Sequence, residues 1–171
     1  MGVQEVGFFL TGIRLTLSMS KLQISLKARA LRYLSMREHS RNELARKLGR
    51  YAEETDDVMA LLNVLEISNF LSAERFSESL VNRRQARFGN QRIFAELQSH
   101  GLDKEQIYNI KLSLIESEAV RAKDVLHRKY PAKPLDHQER AKQMNFLLQR
   151  GFSGKSIQFA IRASRQGDES E

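Results

Sequence analysis

The chain is predicted to be all-α, with three tandem three-helix repeats forming an elongated curved array, and three observations carry this reading. Residues 26–130 contain no proline, the residue that breaks helices, and the two prolines of the chain are Pro131 and Pro134. Apolar residues recur at helical spacing, as in Phe76/Leu80, Ile93/Leu97, Ile107/Ile110/Leu114 and Ile157/Ala160/Ile161, and no segment shows the alternation of a strand. The same order of helix starts and stops returns with a period of about 45 residues.

The elements follow in order from their start and stop signals. A first helix over 26–37 is led by Arg29-Ala30-Leu31. The second, 40–48, opens on Ser40 with Glu43 three residues on, the pattern of a capping box, and stops at Gly49. A longer connection through Arg50, Tyr51 and Ala52 leads to a third over 55–68. The second unit repeats the plan: 73–87, led by Arg75-Phe76-Ser77, then 90–100 ending at Gly101, then 103–117 capped by Asp103 and Gln106. The third unit has 118–129, led by Arg121-Ala122-Lys123, then 137–149 capped by Asp136 and Glu139 and stopped by Gly151, then 154–164. Units two and three share a sharper junction, in which a hydrophobe follows the glycine: Gly101-Leu102-Asp103 with Ile107, and Gly151-Phe152-Ser153 with Ile157.

These marks divide the chain into an N-terminal extension (1–25), three repeats (26–72, 73–117 and 118–165) and an acidic tail (166–171). Three short helices bury little alone, so neighbouring units must share their cores. The extension is apolar at Val6–Leu10 and Ile13–Leu17, but Glu5 precedes the first run and Arg14 interrupts the second. That pattern fits neither a signal peptide nor a bilayer span. Translation is expected to start at Met19, with the earlier residues a disordered or mis-assigned extension.

Composition narrows the function. Hydrophobic residues make up 41% and charged residues 29%, the balance of a folded soluble protein. Twenty-eight Lys and Arg against 21 Asp and Glu give a formal charge of +7, which favours polyanionic partners. The absence of cysteine removes disulfides, thiolate zinc sites and a cysteine nucleophile, and fits a cytoplasmic protein. His39, His100, His127 and His137 are scattered, and Asp124 with His127 falls short of the three ligands a catalytic metal needs. Gly154-Lys155-Ser156 lacks the P-loop's earlier glycine, because Gln149 stands there, and lacks a preceding strand. Gly151–Gly154 matches the GXXG loop of KH domains without the sheet that fold requires. No nucleophile elbow is present. The reading is therefore a cofactor-free, non-enzymatic protein without a catalytic or metal site, and it is expected to be a monomer.

At this point the residues resemble a known family. Ala30-Leu31-Arg32-Tyr33-Leu34 with Arg37–Leu44, Arg75-Phe76-Ser77-Glu78 with Arg83–Gly89, Ile93–Leu97 with Gly101-Leu102, and Leu147–Ser153 with Ile157 resemble, in that order, the RecX regulatory proteins. Asn90 departs from the proline often found after this glycine in the family. The resemblance implies a protein that binds RecA and the RecA–single-stranded-DNA filament. It further implies inhibition of filament growth, ATP hydrolysis, strand exchange and RecA-stimulated repressor cleavage, and so a role in DNA repair, recombination and the SOS response.

The partner-binding candidates are Arg83, Arg84, Arg87 and Arg92, a dense cationic cluster within the most recognisable segment. Arginine's planar fork suits phosphate and carboxylate alike. Phe88 beside them is expected in the core. Arg46, Lys47, Arg50, Arg128 and Lys129 are a possible additional basic surface, with Arg41, Arg121, Lys123 and Lys133 along the same stripe. The alternative is a helical protein that binds DNA directly through a recognition helix.

Overall fold

A computed structural model describes residues 24–164, and among these it contains nine α-helices and no strand. They are α1 Leu26–Met36, α2 Arg41–Leu48, α3 Val58–Ile67, α4 Ala73–Arg84, α5 Asn90–Ser99, α6 Lys104–Ile115, α7 Glu118–Lys129, α8 His137–Gln149 and α9 Gly154–Arg162. Nearly all of the N-terminal extension and the acidic tail lie outside the described residues. No helix among those described is long and apolar enough to cross a membrane.

The helix starts are set by short polar side chains. Ser25, Ser40, Asp57, Ser72, Asp103, Asp136 and Ser153 each accept a backbone N–H from the first turn. Among the three expected capping boxes, the Asp103–Gln106 box is complete. At Ser40 the returning bond is missing, because the Glu43 carboxylate is taken by Arg37 and Lys47. At Asp136 the Glu139 carboxylate turns instead to the Leu135 N–H.

The stops differ in one place from expectation. Gly101 and Gly151 have φ of 85° and 79°, the left-handed conformation that glycine permits. Gly49 remains right-handed, at φ −57°. The left-handed turn of the first unit falls instead on Asn69, after α3, where Phe70 and Leu71 both donate to the Leu65 carbonyl. Asparagine tolerates this conformation, but no glycine marks the position. α4 also ends earlier than expected, at Arg84, and this places Arg87 on the turn that follows.

Helices pack mainly within consecutive triplets, and the buried side chains form three clusters. Ala30, Leu44, Leu48, Leu62, Leu65 and Leu71 hold α1–α3 together. Phe76, Leu80, Ile93, Leu97, Ile107 and Leu114 form the middle core. The last is built on Val125, Leu126, Leu147, Phe152, Ile157 and Ile161. The repeated unit is therefore a small core closed by three helices.

Two joints link the triplets. At the first, Arg75 Nε donates to Glu38 at 2.7 Å, the Ser40 hydroxyl lies 3.2 Å from His100 Nδ1, and Gly101 sits against the Asn42 side chain. The second is made largely of backbone. Gly89 N–H donates to the Arg150 carbonyl at 2.9 Å and Gln91 N–H to that of Gly151 at 3.1 Å. Around this contact the buried Glu118 carboxylate accepts the Asn90 N–H at 2.8 Å and the Ser153 and Ser156 hydroxyls at 2.6 and 2.8 Å. Arg121 donates to the carbonyls of Gln85 and Phe88 and to the Asn90 side chain. Buried polar groups kept fully partnered in this way fix one geometry, since leaving any of them unpaired is costly.

Candidate functional site

The second joint brings the end of α4 against α7 and α8, and a cavity of about 240 Å³ opens there, lined by Arg87, Arg128, Lys129 and Arg150 together with Val125 and Phe146. Each cation arrives by a different local rule. Arg87 stands on the turn closed by its own N–H to the Arg84 carbonyl. Arg128 and Lys129 occupy the last turn of α7, where the helix dipole favours positive charge. Arg150 caps α8 and lies over the Phe146 ring at 3.8 Å from its centroid, one helical turn back. None of the four forms an ion pair among the described residues. Four unpaired cations around one small cavity repel one another, and an anion placed between them relieves that repulsion. The guanidiniums supply paired N–H donors suited to phosphate or carboxylate oxygens.

The structure distributes the sequence candidates unequally. Arg83 is exposed, and its Nε folds back on the Ser79 carbonyl at 3.2 Å. Arg84 is engaged within the protein, donating from Nε and Nη2 to the Glu96 carboxylate at 2.7–3.1 Å. That bonding raises the Arg84 pKa above its ordinary value. Arg92 is exposed and stacks over Phe88 at 4.3 Å, while Phe88 itself packs on the middle core, as expected. Of the four leading candidates, Arg87 alone lines the cavity, and Arg128 and Lys129 of the secondary set join it there.

The remaining basic residues lie elsewhere. Lys47 is bound to its own unit, with Nζ 2.8 Å from His39 Nε2 and 3.5 Å from Glu43. Arg46 and Arg50 are exposed on the first unit. Arg41 pairs with Glu66, and Arg121 belongs to the second joint rather than to a basic stripe. Burial lowers the Arg121 pKa, and the neighbouring Glu118 charge opposes that shift. Sequence reasoning missed Arg150, Asn90 and Glu118. The Phe146–Arg150 spacing of four residues was a usable signal for the first, since it stacks a cation on an aromatic ring along one helix face. The other two carry no local signal, because their partners lie 24 or more residues away. No group of three or more His, Cys, Asp or Glu able to hold a metal occurs among the described residues.

With this geometry in hand, known proteins provide a comparison. Residues 116–161 match the third three-helix domain of RecX and residues 27–62 the first. The chain is 60% identical over 151 residues to a regulatory protein RecX from Herminiimonas arsenicoxydans, covering 88% of this chain and all of that one. It is 46% identical to the one from Ralstonia nicotianae, covering 90% and 99% of the two chains. The crystal structure of RecX from Lactobacillus salivarius superimposes with a TM-score of 0.62 at 22% identity, over 80% of this chain and 92% of that one, which shows a shared fold.

Proposed function

The chain belongs to the RecX family of regulatory proteins, and from that premise we propose that it binds RecA and the RecA–single-stranded-DNA filament. Binding inhibits RecA's recombinase, ATPase and coprotease activities and so modulates DNA repair, recombination and the SOS response. The observation that carries the site is the convergence of Arg87, Arg128, Lys129 and Arg150 on one cavity without an ion-pair partner among the described residues. A nucleoprotein filament offers both kinds of oxygen these groups recognise, backbone phosphate and protein carboxylate. Arg83 and Arg92, both exposed, are assigned to further contacts with the same partner, while Arg84 is held by Glu96.

Replacing Arg87, Arg128 and Arg150 together by Glu tests this reading. The variant should keep its helices by circular dichroism, because the three side chains make no ion pair among the described residues. Titrated into RecA's DNA-dependent ATPase, it should need at least about tenfold more protein for half-inhibition, since each reversal removes an attraction and adds a repulsion. A folded variant that inhibits as strongly as the natural protein would overturn the assignment. The same cations favour a second reading, direct binding to DNA. Binding to naked DNA that weakens steeply with salt, with no effect on RecA already coating DNA, would establish that reading instead.

A further inference from the structure

A second cavity, of about 520 Å³, lies where α5, the end of α6, the start of α7 and α9 meet. Its apolar lining is Phe94, Ile115, Ala119 and Phe159, with Ile115 61% and Phe159 49% exposed. Tyr108 and Leu112 continue the Ile115 ridge along α6 at helical spacing, and both are more than half exposed. Such a ridge beside a cavity is an unusual surface for a protein with no partner.

The polar groups at the cavity floor are already satisfied. Glu118 accepts the Asn90 N–H and the hydroxyls of Ser153 and Ser156, so the floor supplies shape more than hydrogen bonds. Recognition therefore falls to the apolar walls and the rim. Lys155 lines the cavity, Lys111 Nζ lies 5.3 Å from the Phe94 ring centroid, and Arg162 flanks Phe159 in the adjoining depression. None of these three cations forms an ion pair among the described residues; of the two acids in the lining, Glu118 is buried and taken up by its hydrogen bonds, which leaves Glu116 as the acid open to a partner.

We propose that this groove is a docking site for an acidic amphipathic helical segment of a partner protein. Its apolar residues would seat between Ile115 and Phe159, and its carboxylates would meet Lys111, Lys155 and Arg162. An amphipathic helix lying in an apolar groove is a recurring mode of recognition, and the cationic rim selects the acidic version. The inference does not depend on RecA being the partner, and its test contains no RecA.

The probe is a fluorescein-labelled synthetic helical peptide with leucine and phenylalanine at i, i+4 and i+7 and glutamates between them, titrated with the full chain by fluorescence anisotropy. Saturable binding is expected. Phe159→Ser, Ile115→Ser and Lys155→Glu should each weaken it by about tenfold or more, the scale of one large apolar contact or one rim charge. Arg87→Glu, at the other cavity, should leave it unchanged. Three results would overturn the proposal: no saturable binding, equal binding of a peptide carrying lysines in place of the glutamates, or undiminished binding by both serine variants with native circular dichroism. Equal weakening by Arg87→Glu would also overturn it, by reducing the effect to general charge attraction.

Discussion

Gly89→Ala should damage this protein out of proportion to the one methyl group it adds. Gly89 has φ −77° and ψ 169°, an extended conformation that alanine adopts freely, so backbone strain is not the reason. The reason is contact: an added Cβ would lie 2.3 Å from the carbonyl carbon and oxygen of Gly151 and from the Phe152 nitrogen. All three are backbone atoms, so relief requires α8 and the turn after it to move away from α5. That movement breaks Gly89 N–H to Arg150 and Gln91 N–H to Gly151. Overpacking costs about 1–3 kcal/mol and each lost hydrogen bond about 0.5–1.5 kcal/mol. Alanine's smaller unfolded-state entropy returns about 0.4–1 kcal/mol. The net expectation is a loss of about 1–6 kcal/mol, read by urea unfolding followed by circular dichroism. Under the proposed function RecA inhibition should fall with it, since the same joint sets Arg87 against Arg150. Gly154→Ala is the control: nothing lies within 4 Å of its added Cβ, and it begins a helix. If Gly89→Ala matches that control to within about 0.5 kcal/mol, the backbone contact is not what holds the units.

Two further outcomes follow from the cores. Leu97 is completely buried in the middle cluster, and Leu97→Asp should unfold at least α4–α6, seen as lost helical ellipticity; an unchanged melting temperature would contradict the packing. Acid should also weaken the first unit. Burial works to raise the Glu43 carboxyl, but the bonded Arg37 guanidinium, with His39 and Lys47, outweighs it and holds the pKa at about 2 against an ordinary 4.5. This contribution is fully present above about pH 4.5 and is lost as pH falls toward 2, because the unfolded chain takes up the proton first. It reaches at most about 3 kcal/mol, less the screening at Arg37, which is partly exposed. His39, whose pKa burial and the Arg37 and Lys47 charges lower, acts in the same direction below its ordinary 6.5. Glu43→Gln should flatten the pH 2–4.5 portion of a stability profile, and an unaltered slope there would remove Glu43 as the cause.

Local features of the fold were legible in the sequence because their causes are local. Helical spacing, Ser and Asp caps and the glycines at 101 and 151 act within a few residues, and the nine helices among the described residues stand near where these marks put them. The errors share a different origin. Gly49 stays right-handed, and the left-handed turn passes to Asn69, whose place is set by how α3 meets α4. The basic segment 83–92 reads as one cluster along the chain, yet Arg84 is taken by Glu96 and Arg87 is turned toward residues some 40 to 60 positions further on. Arg128 and Lys129, members of the additional basic set in the sequence, gain their place in the site from neighbours supplied by the turn after α4 and by the end of α8. One-dimensional density of charge identifies a basic surface but not which of its members converge.

The two joints show why the site sits where it does. In both, a left-handed glycine after the second helix of one unit meets the first turn of the second helix of the unit before: Gly101 faces Asn42, and Gly151 faces Arg92 and Gly89. The first contact is to the end of a side chain, which can swing away at little cost. The second is backbone against backbone, and it requires glycine on both sides. Close approach there buries Asn90 and Glu118 and half-buries Arg121, and their bonds then hold the units in one relation. A cavity built from residues of two units keeps its shape only if those units do not shift. Four unpaired cations, Arg87, Arg128, Lys129 and Arg150, gather at the backbone joint, while the first joint, closed by side chains such as Arg75 and Glu38, leaves Arg46 and Arg50 exposed on the first unit.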